Sequence, residues 1–357
     1  MSFFPELKAL CPDTRFFGVG GEEMEGLGMD LLYHLKDFSS MGFSEVIKKI
    51  PFYFKALNRI EDEVIKRGTK TAILIDFQDF NMRLAKRLSK RGVKILYYVA
   101  PQAWVWKPHR AGVLARSVNT LFAILPFEKK WFMDRGVNQV KSIPHPLMIT
   151  YKDQLHDIPL KPFGSWNKKL KLLVLPGSRA SEVSSLLPVF IEVARELKKT
   201  MPVEIHLVKV AHLNQNLYSF FKNDIDVWHE SQDLTKAMKE CHFSLAASGT
   251  VTLSTGLFEL PTVVCYKSSL LNEFIFYQLI KYQGPVSLTN IIHNNEMLFP
   301  ELVQQHAEPA QILRIIKTWM KDERVYNDLK SKLRETKNLL SGEDFSVPQY
   351  MAQVIHE

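Results

Sequence analysis

The chain has 357 residues, 46% of them hydrophobic, with a formal net charge of +8. That length suits two α/β-sized domains, and no stretch approaches the roughly 18–20 uninterrupted apolar residues of a membrane span. Three scattered cysteines (Cys11, Cys241 and Cys265) argue for reduced thiols rather than a disulfide frame or a zinc site, and no compact Lys/Arg block or RNA-binding motif marks a nucleic-acid partner.

The N-terminus, "MSFFPELKAL", has no basic start followed by an apolar run, so no signal peptide is expected. "RFFGVGG" reads as a strand ending in a glycine turn. "SEVIKKIPFYFKALNRIEDEVIKRG" has helical periodicity interrupted by Pro51. The continuously apolar "TAILI" predicts a strand covered on both faces, and Asp76 ends it. Such a charge is solvated, caps something, or works. "FNMRLAKRLSKRG" is an amphipathic helix with a glycine stop, followed by the strands "VKILYYVAP" and "NTLFAILPF". Units of this spacing predict a parallel sheet with helices on both faces.

Residues 148–168, rich in proline and polar residues, break the pattern and read as a linker between a domain at 1–147 and a second at 169–335. The pattern restarts at "LKLLVLPGSR", continues through "SEVSSLLPVFIEVARELKKT" and "VEIHLVKV", and reaches "HFSLAAS", "TVTLSTGLFEL" and "PTVVCYK". A helical tail is expected at 336–357.

Two turns in the second domain carry the clearest chemistry. Gly177, Ser178 and Arg179 lie where the domain's first strand meets its first helix, and Ser248, Gly249 and Thr250 repeat that geometry later. Helix N-termini present free N–H groups and the positive end of the macrodipole to anions, and arginine adds a bidentate fork. Each turn alone is equally an ordinary strand–turn–helix. As a pair they suit the diphosphate of a nucleotide-sugar, since no Walker A signature or dinucleotide fingerprint is present.

In the first domain, Trp104 and Trp106 stand beside Lys107, His109 and Arg110. Such a set lines a sugar-phosphate pocket, faces a membrane, or is a tryptophan pair shared between core and surface. His145 is isolated and reads as structural. No His-x-x-x-His or Cys-x-x-Cys pairing occurs, so no protein-bound metal or cofactor is expected.

Taken in order, "FFGVGGEEM", "SSMGFSEVIKKIP", "IDFQDFN", "YYVAPQAWVW", "ILPFEKKWF", "VLPGSRASEV", "AASGTVTL" and "VSLTNII…FPELVQ" resemble the lipid-A-disaccharide synthases from about Phe16 to Val303. The resemblance implies an inverting GT-B glycosyltransferase with two Rossmann-like domains facing a cleft, the C-terminal one holding the nucleotide. It implies UDP-2,3-diacylglucosamine and 2,3-diacylglucosamine 1-phosphate as substrates, no metal, and work at the inner face of the cytoplasmic membrane. Asp76 matches the family's catalytic aspartate and Asp79 the second carboxylate of its motif, although Asp79 also suits a helix cap. On the UDP side the match carries over Gly177, Ser178, Arg179, Ser248, Gly249, Thr250 and Asn290. Met41, Phe43, Phe52 and Phe54 suit acyl chains, and equally a buried core helix. Trp104 and Trp106 fall on the acceptor side.

Three departures stand out. The family's opening strand and Gly-Glu-x-Ser-Gly-Asp loop have no counterpart, which predicts an open sheet edge. Ser254 replaces a glutamate suited to ribose hydroxyls. The spacer between Asp76 and Asp79 is Phe77-Gln78 rather than a small residue and proline, and Thr289 replaces proline before Asn290. Another UDP-amino-sugar transferase, or a non-catalytic nucleotide-sugar binder, remains the alternative.

Overall fold

The computed structural model describes residues 3–38, 43–267 and 284–357, and side chains outside 43–47. The chain divides into two units. The first comprises residues 1–146 together with 341–357, and the second residues 147–340.

In the first unit, β3 (Thr71–Ile75), β4 (Lys94–Tyr98), β5 (Thr120–Ala123) and β6 (Val140–Ser142) form one parallel sheet in that order. The strands β1 (Phe17–Gly20) and β2 (Asp30–His34) pair only with each other among the described residues. Consequently β3 lies at a sheet edge. Its apolar run predicts cover on both faces, yet only Leu74 is fully buried, while β4 buries Ile95, Leu96, Tyr97 and Tyr98. The difference is positional: β4 has a strand on each side and β3 on one.

Helix Phe43–Lys66 runs straight through Pro51 instead of breaking there. Pro51 is exposed, so the hydrogen bond it cannot make is left on the solvent side. Pro188 in helix Ala180–Lys198 is exposed in the same way. The apolar faces of these helices hold them down: Ala56, Leu57, Ile60 and Val64 join the core of the first unit, and Val183, Leu186, Leu187, Phe190 and Ile191 that of the second.

The second unit holds six parallel strands, β7 (Leu170–Leu175), β8 (Val203–Lys209), β9 (Val227–Glu230), β10 (Phe243–Ala247), β11 (Thr262–Tyr266) and β12 (Glu301–Val303). Their order is β12-β11-β10-β7-β8-β9. The chain winds outward from β7 through β8 and β9, then returns to the other side of β7 with β10. The order therefore reverses between β7 and β10, a doubly wound Rossmann arrangement whose ligands sit beyond the carboxyl ends of the two strands at the reversal.

Residues 148–168, expected as a linker, pack onto the second unit. Trp166 is 1% exposed within its core, and the Lys161 ammonium donates to the carbonyls of Met238, at 2.9 Å, and Cys241. Proline and polar residues disguise this strap because its anchors are single side chains without period. The expected tail also divides. Helix Glu323–Leu339 belongs to the second unit, whereas helix Val347–His356 packs on helix Phe4–Leu10 in the first.

Candidate active site

At the carboxyl end of β3 the backbone turns through two consecutive left-handed residues, Asp76 (φ 46°) and Phe77 (φ 42°). Non-glycine residues in this region cost roughly 1–3 kcal/mol each and persist where surrounding contacts over-determine them. Those contacts are present here. The Asp76 amide donates to the Tyr98 carbonyl at 3.1 Å. Its own carbonyl accepts from Asn81 Nδ2 at 2.8 Å and from the Tyr97 hydroxyl at 3.3 Å, and Asn81 also donates to the Ile75 carbonyl at 3.0 Å. Burial pushes the Tyr97 phenol well above its ordinary pKa, so it serves as a neutral donor. The Asp76 main chain is thus fixed while its side chain stays exposed.

Asp79 has a different role. It does not cap its helix, Gln78–Ser89, whose N-cap Phe77 makes no side-chain cap bond. Instead Arg110, 3% exposed, donates to the Asp79 carboxylate at 2.5 Å and to Gln78 Oε1 at 2.7 Å. Lys107 approaches Asp79 at 3.8 Å. Of the two carboxylates in the motif, one is tied into an ion pair and the other is open.

The two tryptophans separate. Trp104 is half-buried, with Nε1 donating to Glu128 at 3.0 Å and its ring edge-on to Phe127. Trp106 is exposed, with the Lys107 ammonium 4.0 Å and the Arg110 guanidinium 5.1 Å from its ring. Trp104 therefore belongs to the scaffold, and Trp106, Lys107 and Arg110 form an aromatic–cation cluster near Asp79. Phe77 packs edge-on to Phe38 and Tyr53 and tilted against Phe80 at 5.7–5.8 Å, half in solvent. Leu35, Ile50 and Phe54 are also exposed, whereas Phe52 is half-buried against Phe38 and Tyr33. Met41 and the Phe43 side chain lie outside the described residues.

In the second unit both turns fall at the strand-order reversal, since β7 leads into Gly177–Arg179 and β10 into Ser248–Thr250. Gly177 takes φ 120°, and a Cβ there would lie 2.5 Å from that of Glu182, so the turn requires glycine. Arg179 is the N-cap of helix Ala180–Lys198 and is largely exposed. Gly249 takes φ 153° with open space around it, and Thr250 is exposed at the start of helix Thr250–Leu257. Ser248 is half-buried, its hydroxyl donating to the Val286 carbonyl at 3.3 Å.

Asn290, which the resemblance places on the UDP side, is tied into its own unit. It is 0% exposed, and its amide donates to the Phe299 carbonyl at 2.7 Å and to Glu301 at 2.8 Å while accepting from the Phe299 amide. Glu301 also accepts from the amides of Val286 and Ser287, both at 2.8 Å. Asn290 shapes this loop and has no donor left for a ligand. Ser254 is buried with its hydroxyl 3.3 Å from that of Tyr151, and Glu259 is tied to Lys330 and Arg334, so neither offers a free carboxylate.

The remaining reactive groups are quiet. All three cysteines are free and buried, and burial pushes the Cys241 and Cys265 thiols up to about 12. Burial lowers His145 to about 4, keeping it neutral. Among the described residues, His206, His229 and Glu240 form a group with metal-ligand spacing, brought together from three elements and invisible to a short-motif reading. No helix among them is long and apolar enough to cross a membrane.

The family model for lipid-A-disaccharide synthetase matches residues 2–355. A lipid-A-disaccharide synthase from Acidobacterium capsulatum is 30% identical over 375 residues, covering 100% of this chain and 92% of the relative. One from Nitrosococcus oceani is 32% identical, covering 94% and 87%. Among solved structures, S. aureus MnaA with UDP superposes with a TM-score of 0.55 at 12% identity, covering 96% of each chain. The spinosyn rhamnosyltransferase SpnG with thymidine diphosphate gives 0.53 at 8% identity, covering 96% of this chain and 100% of the other. These two share the fold, two Rossmann-like units of GT-B type. The chain belongs to the lipid-A-disaccharide synthetase family.

Proposed function

We propose that the protein transfers a diacylglucosamine unit from UDP to the 6-hydroxyl of 2,3-diacylglucosamine 1-phosphate, with inversion, and that Asp76 is the base. The acceptor hydroxyl gives its proton to the Asp76 carboxylate as its oxygen attacks the anomeric carbon. The bond from that carbon to the diphosphate breaks, and UDP leaves carrying the electron pair. Arg179 and the N–H groups of the Gly177 and Gly249 turns offset the charge developing on UDP.

One observation carries this reading. The Asp76 main chain is held by three hydrogen bonds, one from its amide and two to its carbonyl from side chains, in a strained turn with its carboxylate exposed, while Asp79 beside it is neutralised by Arg110. Trp106 and Lys107 suit the acceptor's sugar and 1-phosphate. The exposed Leu35, Ile50, Phe54 and Phe77 suit acyl chains, and with them the cytoplasmic face of the inner membrane as the working place. The deciding assay is UDP release from UDP-2,3-diacylglucosamine with 2,3-diacylglucosamine 1-phosphate in detergent. Asp76→Asn is expected to lower turnover by about 10²–10⁴-fold with UDP affinity unchanged. Turnover by that variant within threefold of wild type would remove Asp76 from the role.

A second reading, a nucleotide-sugar binder without turnover, draws on the absence of a free carboxylate at positions 254 and 259. It predicts UDP binding with no release from the donor in the same assay.

A further inference from the structure

The strands β8 and β9 run parallel with His206 opposite Val227 and Val208 opposite His229. This register sets His206 and His229 on one face of the sheet, diagonal to each other. Helix Leu234–Glu240 packs on β7, β8 and β9 and brings Glu240 from its last turn to the same point. The ligand atoms of His206, His229 and Glu240 all lie within 4.8 Å of one another. His206 Nδ1 is 2.9 Å from His229 Nε2 and 3.9 Å from Glu240 Oε2.

The proton on His206 is fixed from the other side of the ring. Its Nε2 lies 2.8 Å from Glu204 Oε1, two residues back on β8. Lys169 bonds Glu204, and Lys171 stands 3.7 Å from it. Both Glu204 oxygens are thus engaged, Oε2 by the Lys169 ammonium and Oε1 by His206, and a lysine-paired carboxylate accepts. His206 must therefore donate through Nε2, which leaves the Nδ1 lone pair directed at His229 and Glu240. A carboxylate behind a histidine in front of a ligand cluster is the arrangement that orients metal-binding imidazoles. The neighbouring His242 is already engaged, its Nδ1 accepting from the Lys171 amide at 3.0 Å.

We propose that His206, His229 and Glu240 form a binding site for a divalent transition metal of the zinc class, with Glu204 as the residue that orients His206. Two imidazoles and one carboxylate are a ligand set zinc accepts, with water completing the tetrahedron. Bond lengths of about 2.0–2.1 Å require the two ring nitrogens to separate to roughly 3.3 Å, a movement of a few tenths of an ångström. His206 and His229 are 1% and 5% exposed while Glu240 is partly open, so the ion enters past Glu240. The consequence is structural. β9 is an edge strand of four residues, and the metal ties it and the overlying helix to β8. The site stands on the β9 side of the sheet, away from the β7–β10 reversal where the nucleotide turns lie, and it is independent of the glycosyl-transfer reading.

The test is calorimetric titration of the full chain, stripped with EDTA, using Zn²⁺ alone, with Co²⁺ as a spectroscopic probe. One Zn²⁺ per chain is expected, a rise in the unfolding temperature of roughly 5 °C at saturating metal, and visible Co²⁺ absorption of tetrahedral intensity. His229→Ala and Glu240→Gln should abolish the tight site, and Glu204→Gln should weaken it about 10–100-fold. The exposed His212 serves as control, and His212→Gln should bind like wild type. Glu240→Gln changes a partly exposed group at a helix end, so its readout does not depend on His229→Ala folding. No heat of binding from the stripped chain, or an affinity unchanged by Glu240→Gln, overturns the assignment and leaves a metal-free His229-to-His206 hydrogen bond.

Discussion

The Glu182 carboxylate occupies the position an anion would take in the Gly177 turn: it accepts from the Ser178 amide at 2.9 Å, from the Arg179 amide at 3.2 Å, and from Arg179 Nη1 at 2.6 Å. The donors proposed to receive UDP are thus held in place by an internal carboxylate that the diphosphate must compete with. Arg179→Ala should weaken UDP binding roughly 10–100-fold, the worth of a hydrogen bond to a charged partner. Glu182→Gln keeps an acceptor for the amides and removes the like charge, so UDP should bind about 3–10-fold tighter. Titration of both variants with UDP checks this, and weaker binding by Glu182→Gln would show the carboxylate to be indispensable to the turn.

The ion pair of Asp79 and Arg110 separates two roles that one motif combines. Asp79→Asn should retain the turn through Gln78 and lose activity only about tenfold, well short of Asp76→Asn. Arg110→Ala leaves a buried gap and frees the exposed Asp79, and should lower both activity and stability, the latter by roughly 1–2 kcal/mol from lost packing and hydrogen bonds. Parallel kinetics and urea unfolding distinguish the cases. Equal losses from Asp76→Asn and Asp79→Asn would mean that the carboxylates act as a pair.

Glu128 predicts a pH effect. It is 1% exposed, accepts from Trp104 and from the amides of Ile124 and Leu125, and is pushed by burial up to about 7 from 4.5. A carboxyl that keeps its proton to a higher pH in the fold contributes stability below pH 4.5 that is lost as pH rises through 7. Glu128→Gln cannot ionise, so between pH 4.5 and 8 its stability relative to wild type should improve by roughly 3 kcal/mol. Urea unfolding at the two pH values measures the difference, and a gap independent of pH would contradict the argument.

Gly342 predicts a steric effect. Its φ is 66°, and a Cβ would meet the Ile143 carbonyl carbon at 2.3 Å and the Pro144 nitrogen at 2.5 Å. Backbone cannot step aside, so Gly342→Ala should destabilise the first unit by about 3 kcal/mol. Hydrogen exchange should show the loss in helices Phe4–Leu10 and Val347–His356, with residues 147–340 unaffected.

Much of this was legible in the sequence because it depends on local rules. Unbroken apolar runs marked β3, β4, β7 and β10, and the glycine turns after β7 and β10 were identified with the residues that carry them. Short edge strands such as β9, with four residues and one fully buried, give too little pattern to read. The strap at 148–168 escaped because Lys161 and Trp166 are isolated anchors. Glu182 was readable in principle, since a glutamate three residues after an N-cap is a capping signature. The bonds of Asn290 to Phe299 and Glu301 were not legible, because a motif alignment does not say which neighbours a side chain ties together. Partnerships across long separations, such as Arg110 with Asp79 and His206 with His229, exist only once the strands are in register.

The return of helix Val347–His356 to the first unit also governs how the chain can be made. Met351 is 0% exposed, the Tyr350 hydroxyl lies 3.0 Å from that of Thr120, and Cys11 Sγ lies 3.6 Å from His356 Nε2. During vectorial synthesis helix Phe4–Leu10 and the β3–β6 sheet emerge first, yet the part of that sheet's far face that Tyr350 and Met351 cover stays open until residues 347–356 leave the ribosome. Residues 147–340 precede that helix in the chain. The unit begun first is therefore finished after the other, and a nascent chain in which residues 147–340 have emerged and 347–356 have not would carry a closed Rossmann unit and an open one that still exposes Phe122, against which Tyr350 packs.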